Sequence, residues 1–199
     1  MSKIAGSSVV HPNVELGDNV TIEDFCVIGV PLSSNEKAIT KIGNNAVIRA
    51  GTIIYAGNTI GDNFQTGNKA NIRECNDIGN NVSVGTLTVI EHHVVIEDGV
   101  RIHTQVFIPE YSVLKKEAWI GPNVVLTNAK YPRSPNIKDE LLGPTIEENA
   151  KIGANSTLLP GVTIGKNSLV GAASLVTKNV PENIVVCGHP AKYVRKIDY

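Results

Sequence analysis

Glu74, His92, Glu110 and Asn128 recur at intervals of eighteen residues. If one structural period brings them into line, a carboxylate, an imidazole, a second carboxylate and an amide form a column. Adjacent carboxylates would raise the pKa of His92 or hold its tautomer, which suits a site beside a reacting amine. The same column reads equally well as a solvated charge ladder. Arg73, at the mouth of the column, fits a phosphate or carboxylate, or plain solvation. His103, followed by Thr104, stands where its neighbours eighteen residues away are Gly85 and Gly121, with Gly67 beyond. An imidazole between glycines has space beside it, which favours a site over packing.

The elements that position these residues follow from a six-residue period. Aliphatic residues recur at Ile4, Val10, Leu16, Ile22 and Ile28; then from Ile42 through Ile54, Ile72, Ile90 and Ile108 to Leu126, with only Thr66 interrupting; then from Ile146 to Val176. Four positions later the residue is usually small or Val, as at Ala46, Thr52, Ala70, Val82, Val94, Ala118, Ser156 and Ser174. Six fits neither an amphipathic helix nor simple strand alternation, so each hexad is a short strand plus a corner, and three hexads make a triangular coil. The expected fold is all-β, a parallel β-helix of about nine coils stacked at ~4.8 Å, with Gly or Asn supplying the positive φ of the corners.

Two phase breaks mark loops. One lies between Ile28 and Ile42, around Pro31 to Asn35, with a spacing of 14 where two hexads take 12; the other lies between Leu126 and Ile146, around Ala129 to Pro135. The expected organisation is a β-helix over 1–181 with an extruded loop at 129–145, and a segment 182–199 capping the open end.

Composition agrees. Ile (22) and Val (24) far outnumber Leu (11), and 20 Asn and 18 Gly accompany an aromatic content of only 5%, so helices are disfavoured and tight turns abound. A net charge of −1 implies no polybasic surface for nucleic acid or anionic membrane. No apolar run approaches ~20 residues and Met1 to Ser8 has no signal-peptide core, so a soluble cytoplasmic chain is expected. Cys26, Cys75 and Cys187 have no CxxC spacing; they suit a reducing compartment and are expected as small buried hydrophobes. Outward positions show apolar residues on two faces (Ile53, Val89, Phe107 and Val125 on one, Val95 and Val113 on another) and mostly polar ones on the third, as a homotrimer requires.

These hexads cover nearly the whole chain and resemble the hexapeptide-repeat, left-handed β-helix acyltransferase family; the left hand comes from that resemblance alone. The segment Trp119 to Arg133 is similar to nucleotide-amino-sugar N-acetyltransferases, and Gly188-His189-Pro190-Ala191-Lys192 resembles the family's Gly-Asn-Pro-Ala-Arg ending. The resemblance implies acetyl-CoA as co-substrate, a nucleotide-linked amino sugar as acceptor, and sites in the clefts of a trimer. It sets His103 and Thr104 against the acceptor, with His103 the first candidate for base or amine orientation; the column adds His92 and Glu110 as catalytic candidates and Arg73, Glu74 and Asn128 as acceptor contacts. The resemblance also implies coenzyme contacts from Trp119, Lys130, Tyr131, Arg133, Gly153, Ala154, Ala172, Lys178, Pro190, Ala191, Lys192 and Arg195. Galactoside- and maltose-type O-acetyltransferases carry a catalytic His before Pro in the extruded loop; Tyr131-Pro132 stands here instead, which favours an amine acceptor. A small hydroxyl acceptor and a non-catalytic scaffold are the alternatives. Carbonic-anhydrase-like β-helices use three His on zinc, usually with two of them five residues apart; His92, His93 and His103 offer no such pair, so no metal is expected.

Overall fold

The computed structural model describes residues 2–33 and 38–197. The expected loop around Pro31 to Asn35 therefore lies partly outside the described residues. Each hexad ends in a strand of two or three residues whose aliphatic side chain points inward, and the strands stack into three sheets that form the faces of a parallel β-helix. Face 1 runs from Lys3–Ile4 to Ala191–Lys196, face 2 from Val9–Val10 to Leu175–Val176, and face 3 from Val14–Leu16 to Thr163–Ile164. Within uninterrupted stretches each residue pairs with the one eighteen later, as in Ile72↔Ile90 and Ile90↔Ile108. The solenoid agrees with the left hand the resemblance implies. The stack is one coil longer than nine, because Ile184–Gly188 adds in parallel to Leu169–Val170 as a tenth strand of face 1; Ala191–Lys196 then folds back antiparallel.

The registers correct the reading of the first phase break. Leu16 pairs with Ile42, 26 residues on, so Ile28 to Ile42 is a single hexad with eight residues inserted, not two hexads lengthened by two. Leu114 pairs with Ile146, 32 residues on, so the second insertion is fourteen residues. Both leave the prism at the same corner, where face 2 hands over to face 3.

The core is the inward column. Ile54, Ile72, Ile90 and Ile108 are fully buried, each contributing about 1.5–3 kcal/mol relative to exposure, and the residues four later are buried with them. Phe64 also lies fully inside, so the prism accepts one ring where Ala70, Val82 and Ala46 leave room. Thr66 keeps its inward place because its Oγ1 accepts the Arg49 backbone N–H at 2.9 Å and pairs with Thr52 Oγ1 at 3.2 Å.

The corners depart from the expectation in an instructive way. Positive φ falls on the third corner residue, and that residue is Lys69 (55°), His93 (56°) or Tyr111 (63°) as readily as Asn45 (58°). The Gly that follows the aliphatic residue serves close approach instead. A Cβ on Gly85 would lie 2.3 Å from the carbonyl carbon of His103 in the next coil. Of the cysteines, only Cys26 is buried; Cys75 is exposed on a corner, and Cys187 is exposed within the strand Ile184–Gly188.

Candidate functional site at the polar corner

Two buried asparagines build the corner between faces 2 and 3. Asn58 Nδ2 donates to the carbonyls of Tyr55 and Arg73 (2.7 and 2.8 Å), while its Oδ1 accepts the Asn76 backbone N–H at 3.0 Å. Asn76 repeats the pattern, donating to Arg73 O at 2.9 Å and accepting from Val94 N at 2.7 Å. Ser112 closes the same turn on Pro109 O at 2.8 Å. The two asparagines interrupt the small-or-Val rule four positions after Ile54 and Ile72, a signal present in the sequence and not recognised there as a corner support.

On this frame the expected column comes together. Arg73 lies 5.0 Å over the Tyr55 ring, donates from Nε and Nη2 to both oxygens of Glu74 (2.8 and 3.0 Å), and reaches Glu91 at 3.4 Å. Burial pushes the Glu74 carboxyl up, but the Arg73 hydrogen bonds, a backbone N–H and the Arg73 charge together outweigh it and hold Glu74 below the usual carboxylate range; Arg73 is raised in turn. One coil on, His92 presents Nε2 to Glu110 Oε1 at 3.7 Å, and its Nδ1 meets His93 Nδ1 at 2.8 Å. Tyr111 packs edge-on to His92 and tilted to His93, with centroids 6.0 and 5.8 Å apart. Glu110 Oε2 accepts from Asn128 Nδ2 at 2.7 Å, and Asn128 O accepts the Leu142 N–H, so the column ends at the root of the extruded loop. Arg73 and Glu74 thus form one side-chain cluster and His92, Glu110 and Asn128 a second, stacked in successive coils and linked by the His93 N–H to Glu74 O bond of 3.4 Å. Glu91 and His93 belong to this corner too and were not expected from sequence as catalytic or acceptor residues; Tyr111, an outward aromatic that sequence offered as a partner or ligand contact, packs on the histidines.

His103 and Thr104 lie on the corner between faces 1 and 2, apart from this network. The His103 ring rests on Trp119 with centroids 4.6 Å apart, and its Nε2 is buried without a hydrogen-bond partner. Burial, then the Arg101 charge, pushes the imidazole below its ordinary pKa, which keeps it neutral at neutral pH. A cavity of about 270 Å³ opens beside it, lined by Arg49, Gln65, Gly67, Gly85, Arg101 and Thr104 among others.

The expected coenzyme residues divide between the two corners. Gly153, Ala154 and Ala172 stack under His103 on the first, Gly153 so close that a Cβ would sit 2.5 Å from Ala172 N. Lys130, Tyr131 and Arg133 belong to the loop extruded from the second, where Lys130 Nζ lies 5.5 Å from the centre of the exposed Tyr131 ring. Lys178 and Ala191 line one cavity of about 270 Å³ at the C-terminal end of the prism, with Tyr193 and Val176. Pro190 turns the chain into the terminal strand, which carries Lys192 and Arg195. The two corners flank face 2, whose outward stripe is Ile53, Asn71, Val89, Phe107 and Val125. Among the described residues no group of three His, Cys, Asp or Glu is placed to hold a metal ion, and no helix is long and apolar enough to cross a membrane.

Comparison with known proteins gives a consistent picture. Residues 143–178 match the family described as bacterial transferase hexapeptide (six repeats), and residues 20–56 match the hexapeptide repeat of succinyl-transferase. Galactoside O-acetyltransferase of Lactococcus lactis subsp. lactis is 37% identical over 60% of this chain and 55% of its own length. The bifunctional protein GlmU of Carboxydothermus hydrogenoformans is 30% identical over 98% of this chain and 41% of its own. The chain thus spans about two-fifths to three-fifths of the first curated relatives it matches. Among solved structures, UDP-N-acetylglucosamine acyltransferase from Campylobacter jejuni superposes with a TM-score of 0.57 at 20% identity, covering 98% of this chain and 75% of that one, a likeness of fold.

Proposed function

We propose that this chain, a member of the hexapeptide-repeat transferase family, is an acetyl-CoA-dependent N-acetyltransferase that modifies the amine of a nucleotide-linked amino sugar. The observation that carries the reading is the polar corner, where charged and hydrogen-bonding groups run from coil to coil into the root of the extruded loop. Acyl transfer from a thioester asks little more than positioning, an oxyanion donor and a proton acceptor. In this reading Arg73 and Glu74 bind the acceptor with Thr104 and Asn128, and His103, His92 and Glu110 are the groups that serve the transfer.

The division of the coenzyme residues between two corners supports a site shared by subunits. We read face 2, apolar and bounded by both corners, as a contact of a homotrimer. Each cleft then joins the His92 corner and loop of one subunit to the His103 corner of the next, with Trp119, Gly153, Ala154 and Ala172 along the coenzyme. Residues 182–199 cap the 1–181 helix and bring Lys192 and Arg195 toward the nucleotide end of coenzyme A. The co-substrate places the reaction in the cytoplasm.

The second reading, O-acetylation of a small hydroxyl acceptor, is favoured by the similarity to galactoside O-acetyltransferase. Tyr131-Pro132 in the extruded loop weighs against it. Release of free thiol from acetyl-CoA separates the two: turnover with nucleotide-linked amino sugars and none with their hydroxyl counterparts supports N-acetylation, and the reverse preference overturns it.

A further inference from the structure

Resting on the acetyl-transfer reading of this corner, we propose that His93, and not His92, takes the proton from the acceptor's nucleophile, with His92 and Glu110 as the groups that position it. The argument is one of tautomers. A bond between two Nδ1 atoms at 2.8 Å requires that one ring carry its proton there and the other offer a lone pair. Glu110 decides which. At 3.7 Å its carboxylate is too far from His92 Nε2 for a hydrogen bond, but it favours an N–H facing it over a lone pair. Asn128 fixes that carboxylate from the other side. His92 therefore carries its proton on Nε2, its Nδ1 accepts, and His93 donates from Nδ1. That leaves the basic lone pair of the pair on Nε2 of His93.

Accessibility agrees with this assignment. His93 is exposed at its corner, whereas the His92 side chain keeps 28% of its surface and is enclosed by His93, Tyr111 and Glu110. When the amine attacks the thioester carbonyl, a C–N bond forms and the nitrogen's proton passes to His93 Nε2. Collapse of the tetrahedral intermediate breaks the C–S bond, and the departing coenzyme A thiolate takes that proton back, leaving amide and free thiol. The positive charge borne by His93 meanwhile is spread through its Nδ1–H to His92 and faces Glu110 in the following coil and Glu74 in the preceding one. Cys75, one coil before His93 on the same corner column, Glu91 and Arg73, and the Tyr55 and Tyr111 hydroxyls are the other titratable groups of this corner.

The test combines kinetics with a readout of the protons themselves. His93→Asn suits the left-handed corner, which Asn tolerates, and is expected to lower kcat by roughly 10²–10⁴-fold with KM little changed, removing the acid limb of the pH profile. His92→Gln is expected to lower kcat by only about tenfold and to keep that limb, displaced. The opposite order, with His93→Asn near wild type, overturns the proposal. Nitrogen-15 NMR of the imidazoles in the unliganded protein decides independently of turnover. His93 protonated on Nδ1 and His92 on Nε2 is the expected pattern, and His93 protonated on Nε2 overturns the assignment. A wild-type protein without acetyl transfer would refute the functional reading, while the tautomers would still decide the proton placement.

Discussion

Gly85→Ala is the sharpest perturbation of the stacked-coil architecture, because one methyl group meets only backbone. An added Cβ would stand 2.3 Å from His103 C, 2.4 Å from Thr104 N and 2.6 Å from His103 O. Ordinary contact begins at 3.4 Å, so the two coils must part locally by about 1.1 Å. The bond from Gln105 N–H to Thr86 O (2.9 Å) and that from Thr88 Oγ1–H to His103 O (2.8 Å) span this gap. Stretched by that distance, neither remains a hydrogen bond. At about 1 kcal/mol each, with a similar cost for residual strain, the loss is ~2–4 kcal/mol, or roughly 4–16 °C in Tm at this chain length. Gly6→Ala is the control, since nothing lies within 4 Å of its added Cβ. Calorimetry and urea denaturation of the three proteins measure the effect. A Gly85→Ala protein as stable as the Gly6→Ala control would refute the claim that these glycines exist for coil-to-coil approach.

Other expectations rest on separate parts of the molecule. Ile90→Ala, in the middle of the fully buried column, is expected to cost about 2–5 kcal/mol by urea titration, and a change below about 1 kcal/mol would contradict the packing described. The folded chain binds a proton at His103 less readily than the unfolded chain does, so its contribution to stability is full above its ordinary value of 6.5 and declines as pH falls below it. Melting between about pH 7.5 and about pH 5 should show a smaller decline in His103→Gln than in wild type, and equal declines would count against a buried neutral imidazole. Phe107→Asp, on the outward stripe of face 2, should convert a trimer to smaller species in sedimentation; an unchanged trimer would remove face 2 from the interface.

Much of this fold is legible as a period. Inward positions are set by repeating Ile and Val, and even the exception, Thr66, keeps its place once Arg49 N and Thr52 satisfy its hydroxyl. The insertions were less legible, because a spacing of 14 between Ile28 and Ile42 does not say how many sides of the prism it covers; only the pairing of Leu16 with Ile42 does. Positive φ at Lys69, Leu87 and Tyr111 escapes composition because stacking over-determines the corner, whatever residue occupies it. The column of Glu74, His92, Glu110 and Asn128 follows from spacing alone. The bond that joins His92 to His93 does not, since it depends on how two adjacent rings turn toward each other. His103 was read as having room, and a cavity does open beside it; the packing of Trp119 from the next coil against its ring was not legible.

A site shared between subunits is tested most directly by complementation. His92→Ala and His103→Ala proteins, each impaired as a homotrimer, are co-expressed and assayed for thiol release from acetyl-CoA with a nucleotide-linked amino sugar. If the cleft joins the His92 corner of one subunit to the His103 corner of its neighbour, each mixed trimer contains one intact site of three, and an equal random assembly recovers about a quarter of wild-type activity. Mixed trimers no more active than either parent would contradict the shared cleft.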